Sequence, residues 1–381
     1  MRIVFNEVKK LLNWKILSLV VLISLIFYQL FLDFEFSYFP NGRPALDEFR
    51  VSQQMIETYG PEVDEEEFLD FRQQFEREIE KAEDTLQSRQ EFIDSGITTY
   101  EQFQGSSQPD QQLEQLRDEV FFTEENAIFW ELQARESIIS FYETRMDDLS
   151  NDDMDFGVSH TNWKESILDS HSKDAILPYF VFENYTNLVT MLSILIIVIV
   201  MIVAGRIFIV DQKNDLILLQ YTSKMGRNIF KAKIAAAFIV TLVITTVYIS
   251  LFLTLYKQND TELFLNSSIQ SFYNLGIPSW LDITFGQYIL FTLCAVYILA
   301  IVSALISAYI SRIVLNFISL IGSQIPYVII VTLLLFEYLI SNFLTIKYPI
   351  YLSIVTYIGL IVVGIGLLYF RWKKEQKVDI V

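Results

Sequence analysis

Cysteine is almost absent. Cys294 is the only one in 381 residues, so no intrachain disulfide can form and every folded part must be held by packing. Histidine is equally scarce: His160 and His171 stand alone in a polar stretch, and two imidazoles without a neighbouring thiolate make a poor zinc site. No GxxxxGK[ST] sequence occurs, which excludes a P-loop nucleotide site. The run NDDMDFG at 151–157 has its glycine one place late for a calcium loop, and Asn162 stands where the closing bidentate Glu is required. The acidic pairs scatter around helix faces as solvated surface does, not as a catalytic dyad. A basic excess is lacking too, and the net charge of −18 gives no footing for nucleic acid. The expectation is a chain that is not an enzyme, with no catalytic, cofactor or metal residues of its own.

What the sequence has in quantity is apolar residues, 52% of the total with a mean hydropathy of +0.36. Runs of about 18 or more apolar residues cross a hydrocarbon core of ~30 Å. Six qualify, at about 15–32, 185–204, 232–256, 287–310, 313–339 and 349–370. Residues 1–32 hold the first of them, behind RIVFNEVKKLLN at 2–13, whose apolar residues gather on one side with Lys9 and Lys10 on the other. That pattern suits an amphipathic helix in the headgroup layer; continuation of the first span backwards is the alternative. No small-x-small cleavage site follows, so the segment is expected to be retained.

Sidedness follows from the short flanks. With the N-terminus inside, segments 1–15, 205–233, the turn at Arg312 and the tail 371–381 carry 15 Lys/Arg against 5 acids. The opposite side holds 33–184, with 11 basic and 37 acidic residues, and the loops 257–286 and 337–348. Basic short flanks stay in the cytoplasm, so both termini are expected there, in a bacterial cell membrane. Membrane lipids are then a necessary partner.

The large segment 33–184 shows two helical patterns. Phe68, Phe71, Phe75, Ile79, Ala82, Leu86 and Ile93 form one; Leu113, Leu116, Val120, Ala127, Ile128, Leu132, Ile139, Tyr142 and Met146 form the other. A turn-rich stretch separates them. Two amphipathic helices joined this way predict an antiparallel hairpin. The fold class is therefore an all-α membrane protein: six transmembrane helices with a large extracellular, mainly helical domain between the first and second. The loop 257–286, rich in aromatics, is expected on the membrane surface or under that domain. Spans 4 and 5 meet across Ser311–Arg312 and must be antiparallel neighbours. Span 5 is interrupted by Asn316, Gly322, Ser323, Gln324 and Pro326. Polar residues in a span face the bundle, so Asn316, Ser323, Gln324 and Pro326 are a candidate substrate path, with helix–helix hydrogen bonding as the plainer alternative.

The segment 205–233, GRIFIVDQKNDLILLQYTSKMGRNIFKAK, lies between spans 2 and 3. With the helix at 2–13 and the large domain after span 1, it resembles an ABC-2-type permease, the membrane subunit of an ABC exporter. Such permeases have an acidic residue after span 2, an apolar patch, a small or polar turn, a basic residue and a lysine opening span 3. Asp211, Leu216–Leu219, Thr222–Ser223, Arg227 and Lys231 or Lys233 take those places. Two positions depart from the pattern: Asp211 stands where Glu is commoner, and Lys224–Met225 where Pro is. The order of parts covers nearly the whole chain, the local motif covers about 25 residues, and no motif covers the domain at 33–184.

The resemblance implies a coupling helix seated on separate ABC ATPase subunits, which bind the ATP and Mg, and a second permease subunit making a homo- or heterodimer. The coupling residues would be Asp211, Lys213, Asp215, Leu216, Ile217, Leu219, Tyr221 and Arg227. It implies export of a hydrophobic or amphipathic peptide, toxin or lipid. Two competing readings remain at this stage. One is a membrane-anchored receptor or immunity protein that binds a partner through its helical domain. The other is a secondary transporter, against which stand the lack of deep ionisable residues in the spans and of a visible inverted repeat.

Overall fold

The computed structural model describes residues 2–105, 111–123, 127–150, 171–214, 226–274 and 279–377. In chain order its helices are α1 (Arg2–Leu11), α2 (Trp14–Phe31), α3 (Asp33–Ser37), α4 (Ala45–Tyr59), α5 (Glu65–Gln87), α6 (Gln90–Asp94), α7 (Tyr100–Gln104), α8 (Gln111–Asp118) and α9 (Ala127–Ser150), followed by α10 (Tyr179–Ala204), α11 (Arg206–Lys213), α12 (Ile229–Tyr256), α13 (Phe285–Ile313), α14 (Phe317–Leu334) and α15 (Ile350–Lys377). Isolated β-bridges pair Glu62 with Ala175 and Ser268 with Thr284. The chain divides into two compact units, residues 1–37, 183–260 and 287–381 in the first, 38–182 and 261–286 in the second.

Six helices are long and apolar enough to cross a membrane: Trp14–Phe31, Tyr179–Gln212, Ile229–Asn259, Phe285–Ile313, Phe317–Leu339 and Ile350–Gln376. They identify a multi-pass membrane protein. The second of these is the axis of the bundle, 78% of its apolar window being buried, against 6% for α2 and 17% for α15. A span that is apolar on all sides and enclosed by its neighbours is what Leu188–Val203, with hardly a polar residue, dictates. Asn13 ends the question of where the first span begins: its side chain accepts the Ile16 N–H and caps α2, so α1 is a separate helix.

In the second unit α5 opens with a capping box, Asp64 accepting from Glu67 N and Glu67 from Asp64 N. Its Phe68 stacks on Tyr142 of α9 at 3.9 Å between ring centroids. Ala82 and Leu86 enter a core with Phe92, Tyr100, Phe103, Phe129 and Leu132. The hairpin expected from the sequence is thus part of a larger helical set. α4, which the apolar spacing did not announce, packs on α9. The pattern read as one helix from Leu113 to Met146 is broken by a π-helical turn at Glu119–Thr123, and the side chains of Leu113 and Met146 fall outside the described residues. Ile93, assigned to the buried stripe, is exposed while Phe92 is buried, because α5 stops at Gln87 and α6 restarts the register. From Thr261 the aromatic loop is interior to this unit: Phe264 packs against Phe49 at 5.6 Å and Phe272 against Tyr142 at 5.4 Å. Ser271 Oγ accepts from Leu177 N and donates to Ala175 O, at 2.9 and 2.7 Å.

Candidate functional site: a buried ionic cluster in the helical bundle

Four charges from three helices meet in the first unit. Lys233, in the opening turns of α12, is 2% exposed. Its ammonium donates to the Asp211 carboxylate on α11, to Glu7 Oε2 on α1 at 3.2 Å and to the Ile207 carbonyl at 2.8 Å. An ammonium has three N–H donors, so all of them are used. Lys10 closes the ring, reaching Glu7 Oε1 at 2.8 Å and Asp211 Oδ1 at 3.3 Å. Two cations and two carboxylates balance, which is the condition for keeping such charges out of water. Burial pulls the Lys10 ammonium down, but its hydrogen bonds to Glu7 and Asp211 and their charges together hold it above its ordinary 10.5. Buried Glu7 shares the inward face of α1 with Leu11, and this face lies along α12.

Phe208 joins this cluster to a second one. Its ring stacks on Phe230 at 5.1 Å, with the Lys233 ammonium 5.5 Å from the centroid and the Arg312 guanidinium 5.9 Å from it. Arg312, at the end of α13, makes a two-pronged pair with buried Glu375 of α15, at 2.7 and 3.0 Å. Arg371 reaches the same carboxylate at 3.1 Å, and Lys231 lies 4.5 Å from the Trp372 ring. Five helices, α1, α11, α12, α13 and α15, are therefore tied by charge and ring contacts at one end of the bundle.

Behind this layer Gln324 is buried, donating to Ser307 Oγ at 2.7 Å and to the Met201 carbonyl at 3.3 Å, which also accepts from Ser307 at 2.8 Å. The three helices approach so closely that a Cβ on Gly205 would lie 2.8 Å from both polar atoms and 2.7 Å from Met201 O. Gln324 is accordingly a helix–helix hydrogen-bonding residue. The other candidates for a path do not gather around it. Asn316 caps α14 by accepting Ser319 N at 2.8 Å, and Ser323 and Pro326 are exposed on that helix.

Of the expected coupling residues, Asp211 lies in the cluster. Lys213 ends α11, and Arg227 lies in the short turn Gly226–Asn228; their side chains are outside the described residues, as are Asp215, Leu216, Ile217, Leu219 and Tyr221 altogether. The stretch 151–157 and His160 lie outside them too. Among the described residues no group of three or more His, Cys, Asp or Glu is placed to hold a metal. Sequence reasoning missed Glu7 and Glu375. Glu7 had a signal: it is three residues after Val4 and four before Leu11, a lone acid on the apolar face of α1.

Comparison of the chain with protein-family models, with curated protein sequences and with solved structures returns no match.

Proposed function

We propose that this protein is the membrane subunit of an ATP-driven exporter in a bacterial cell membrane, working with separate ATPase subunits and a second permease subunit. The observation that carries the reading is buried Lys233. It fastens α12 to α11 and α1, so the two helix ends that flank residues 215–225 are locked to one another. A push on that segment by an ATPase would be delivered to two spans and to α1 together, and would not be lost in a slack loop. The basic flanks on these helix ends support a cytoplasmic side for them and for both termini, with the acidic segment 33–184 on the extracellular side in this reading. Leu216, Ile217, Leu219 and Tyr221 supply the apolar contact, with Lys213, Asp215 and Arg227 setting register and encounter rate. The cargo is a hydrophobic or amphipathic molecule, and ATP and Mg belong to the partner.

Affinity purification in mild detergent tests this. A polypeptide with ATPase activity is expected to copurify with the parent chain and to be lost from the Leu216→Asp/Leu219→Asp variant, whose thermal unfolding stays at the parent value. Absence of ATPase activity from the parent preparation, or its retention by the variant, rules the reading out.

A further inference from the structure

The second unit contains a cleft of about 470 Å³, within the size range of sites that accept a small molecule or a bulky side chain. Aromatic rings make its walls. Trp130 meets Phe121 at 4.8 Å and Phe122 at 5.8 Å, both edge to face, and Phe103 lies 5.7 Å from Phe121. The Trp130 indole N–H is spent on the Phe121 carbonyl at 3.1 Å, which fixes the wall. Phe122 is 70% exposed, a large apolar ring left in water beside the opening.

Four polar residues line the cleft, of which Gln104 donates to the Tyr100 hydroxyl. Arg117 is braced over the Phe103 ring at 5.7 Å and donates to the Gln104 carbonyl at 2.6 Å. Of its five N–H donors, one is spent among the described residues. Gln133 also lines the cleft and makes no hydrogen bond among them. An aromatic box with unspent donors calls for a flat apolar group that carries carbonyl acceptors. The charge around it sets the sign: residues 98–137 contain nine acids and two arginines, and Glu101, Glu114, Asp118, Glu119 and Glu136 are exposed on the same elements. An anionic ligand is repelled there, and so is a second copy of this equally acidic surface; a cationic one is drawn in.

We infer that this cleft binds a basic peptide, taking one aromatic side chain between Phe122, Phe121 and Trp130 and giving Arg117 and Gln133 to the peptide carbonyls. Ring packing supplies the affinity and the carboxylates supply the encounter rate. This binding site goes beyond the exporter reading and is tested by binding alone, so the capture or absence of an ATPase bears on that reading and not on this site. With both upheld, the cargo or signal recognised becomes a cationic aromatic peptide.

The probes are fluorescein-labelled Lys-Lys-Phe-Lys-Lys, its Ala-centred counterpart and Glu-Glu-Phe-Glu-Glu, titrated by anisotropy against the full-length chain in phosphatidylcholine nanodiscs. The Phe-centred basic peptide is expected to bind roughly tenfold more tightly than the Ala-centred one, the scale of one aromatic anchor, and the acidic peptide not to bind. Phe122→Ala, an exposed change that spares the core, removes the preference and leaves the Ala-centred affinity where it was; Phe122→Trp keeps it. Equal binding of the two basic peptides reduces the feature to a charged surface and overturns the inference, as does binding of the acidic peptide. An oleate probe that binds more tightly than the peptide and is lost with Phe122→Ala assigns the cleft to lipid, which overturns it as well.

Discussion

Lys233 decides more than any other single residue because, of the two lysines seen on Asp211 and Glu7, it is the buried one. Replacing one partner of a buried ion pair leaves a desolvated charge and costs roughly 3–5 kcal/mol. Lys233→Met takes the buried cation away from both carboxylates and should lower the unfolding free energy of the purified chain by that scale. The Lys233→Met/Asp211→Leu double variant, which restores a balanced Glu7–Lys10 pair, should recover much of the loss. A single variant as stable as the parent would remove the cluster from the account. Which lysine mattered was not legible in the sequence: Lys231 and Lys233 both open the third span, and two residues turn a helix through about 200°. Only the packed helices distinguish the one that meets Asp211 from the one that meets Trp372. Glu375 was equally hidden, since a carboxylate in the tail RWKKEQK reads as solvated until Arg312 is placed beside it.

At the scale of the element, the spans were plain because length and apolarity alone define them. α4 was not. Its sequence ALDEFRVSQQMIETY buries Asp47 and Glu48 with Phe49, Val51 and Met55, so the apolar stripe that would have revealed it is interrupted by carboxylates. Those carboxylates make α4 sensitive to pH. Burial raises Glu48 above its ordinary 4.5, partly opposed by a hydrogen bond from Ser137, and burial raises Asp47 despite Arg43 beside it. A native carboxyl raised above its unfolded value opposes folding fully above the native value, and the cost fades as pH falls through that value toward the unfolded one. Glu48→Gln should therefore stabilise the helical unit most at about pH 7.5, with the gain shrinking toward pH 4.5. Unfolding midpoints of parent and variant across that window check it; a gain that grows in acid contradicts it. The π-helical turn at Glu119–Thr123 was beyond the sequence for another reason. Leu116, Val120 and Ala127 keep helical spacing straight through it, and a wider turn leaves no trace in apolar periodicity.

At the scale of the molecule, the charge division between short flanks and the acidic segment is the basis of the proposed sidedness. With Cys294 replaced by Ser, a lone cysteine at Ser95 should react with a membrane-impermeant maleimide in intact cells, and one at Lys374 only after permeabilisation. The reverse pattern inverts the topology and with it the direction of transport. The layered account, in which a segment between two locked helix ends receives force from an external ATPase, then rests on one contact. The most direct measurement places a photocrosslinking amino acid at Ile217 in the native membrane, with Leu69, exposed on α5, as the control position. The account predicts a crosslinked adduct at 217 containing an ATPase subunit and none at 69. An adduct at 217 with lipid alone, or the same ATPase adduct from both positions, would contradict it.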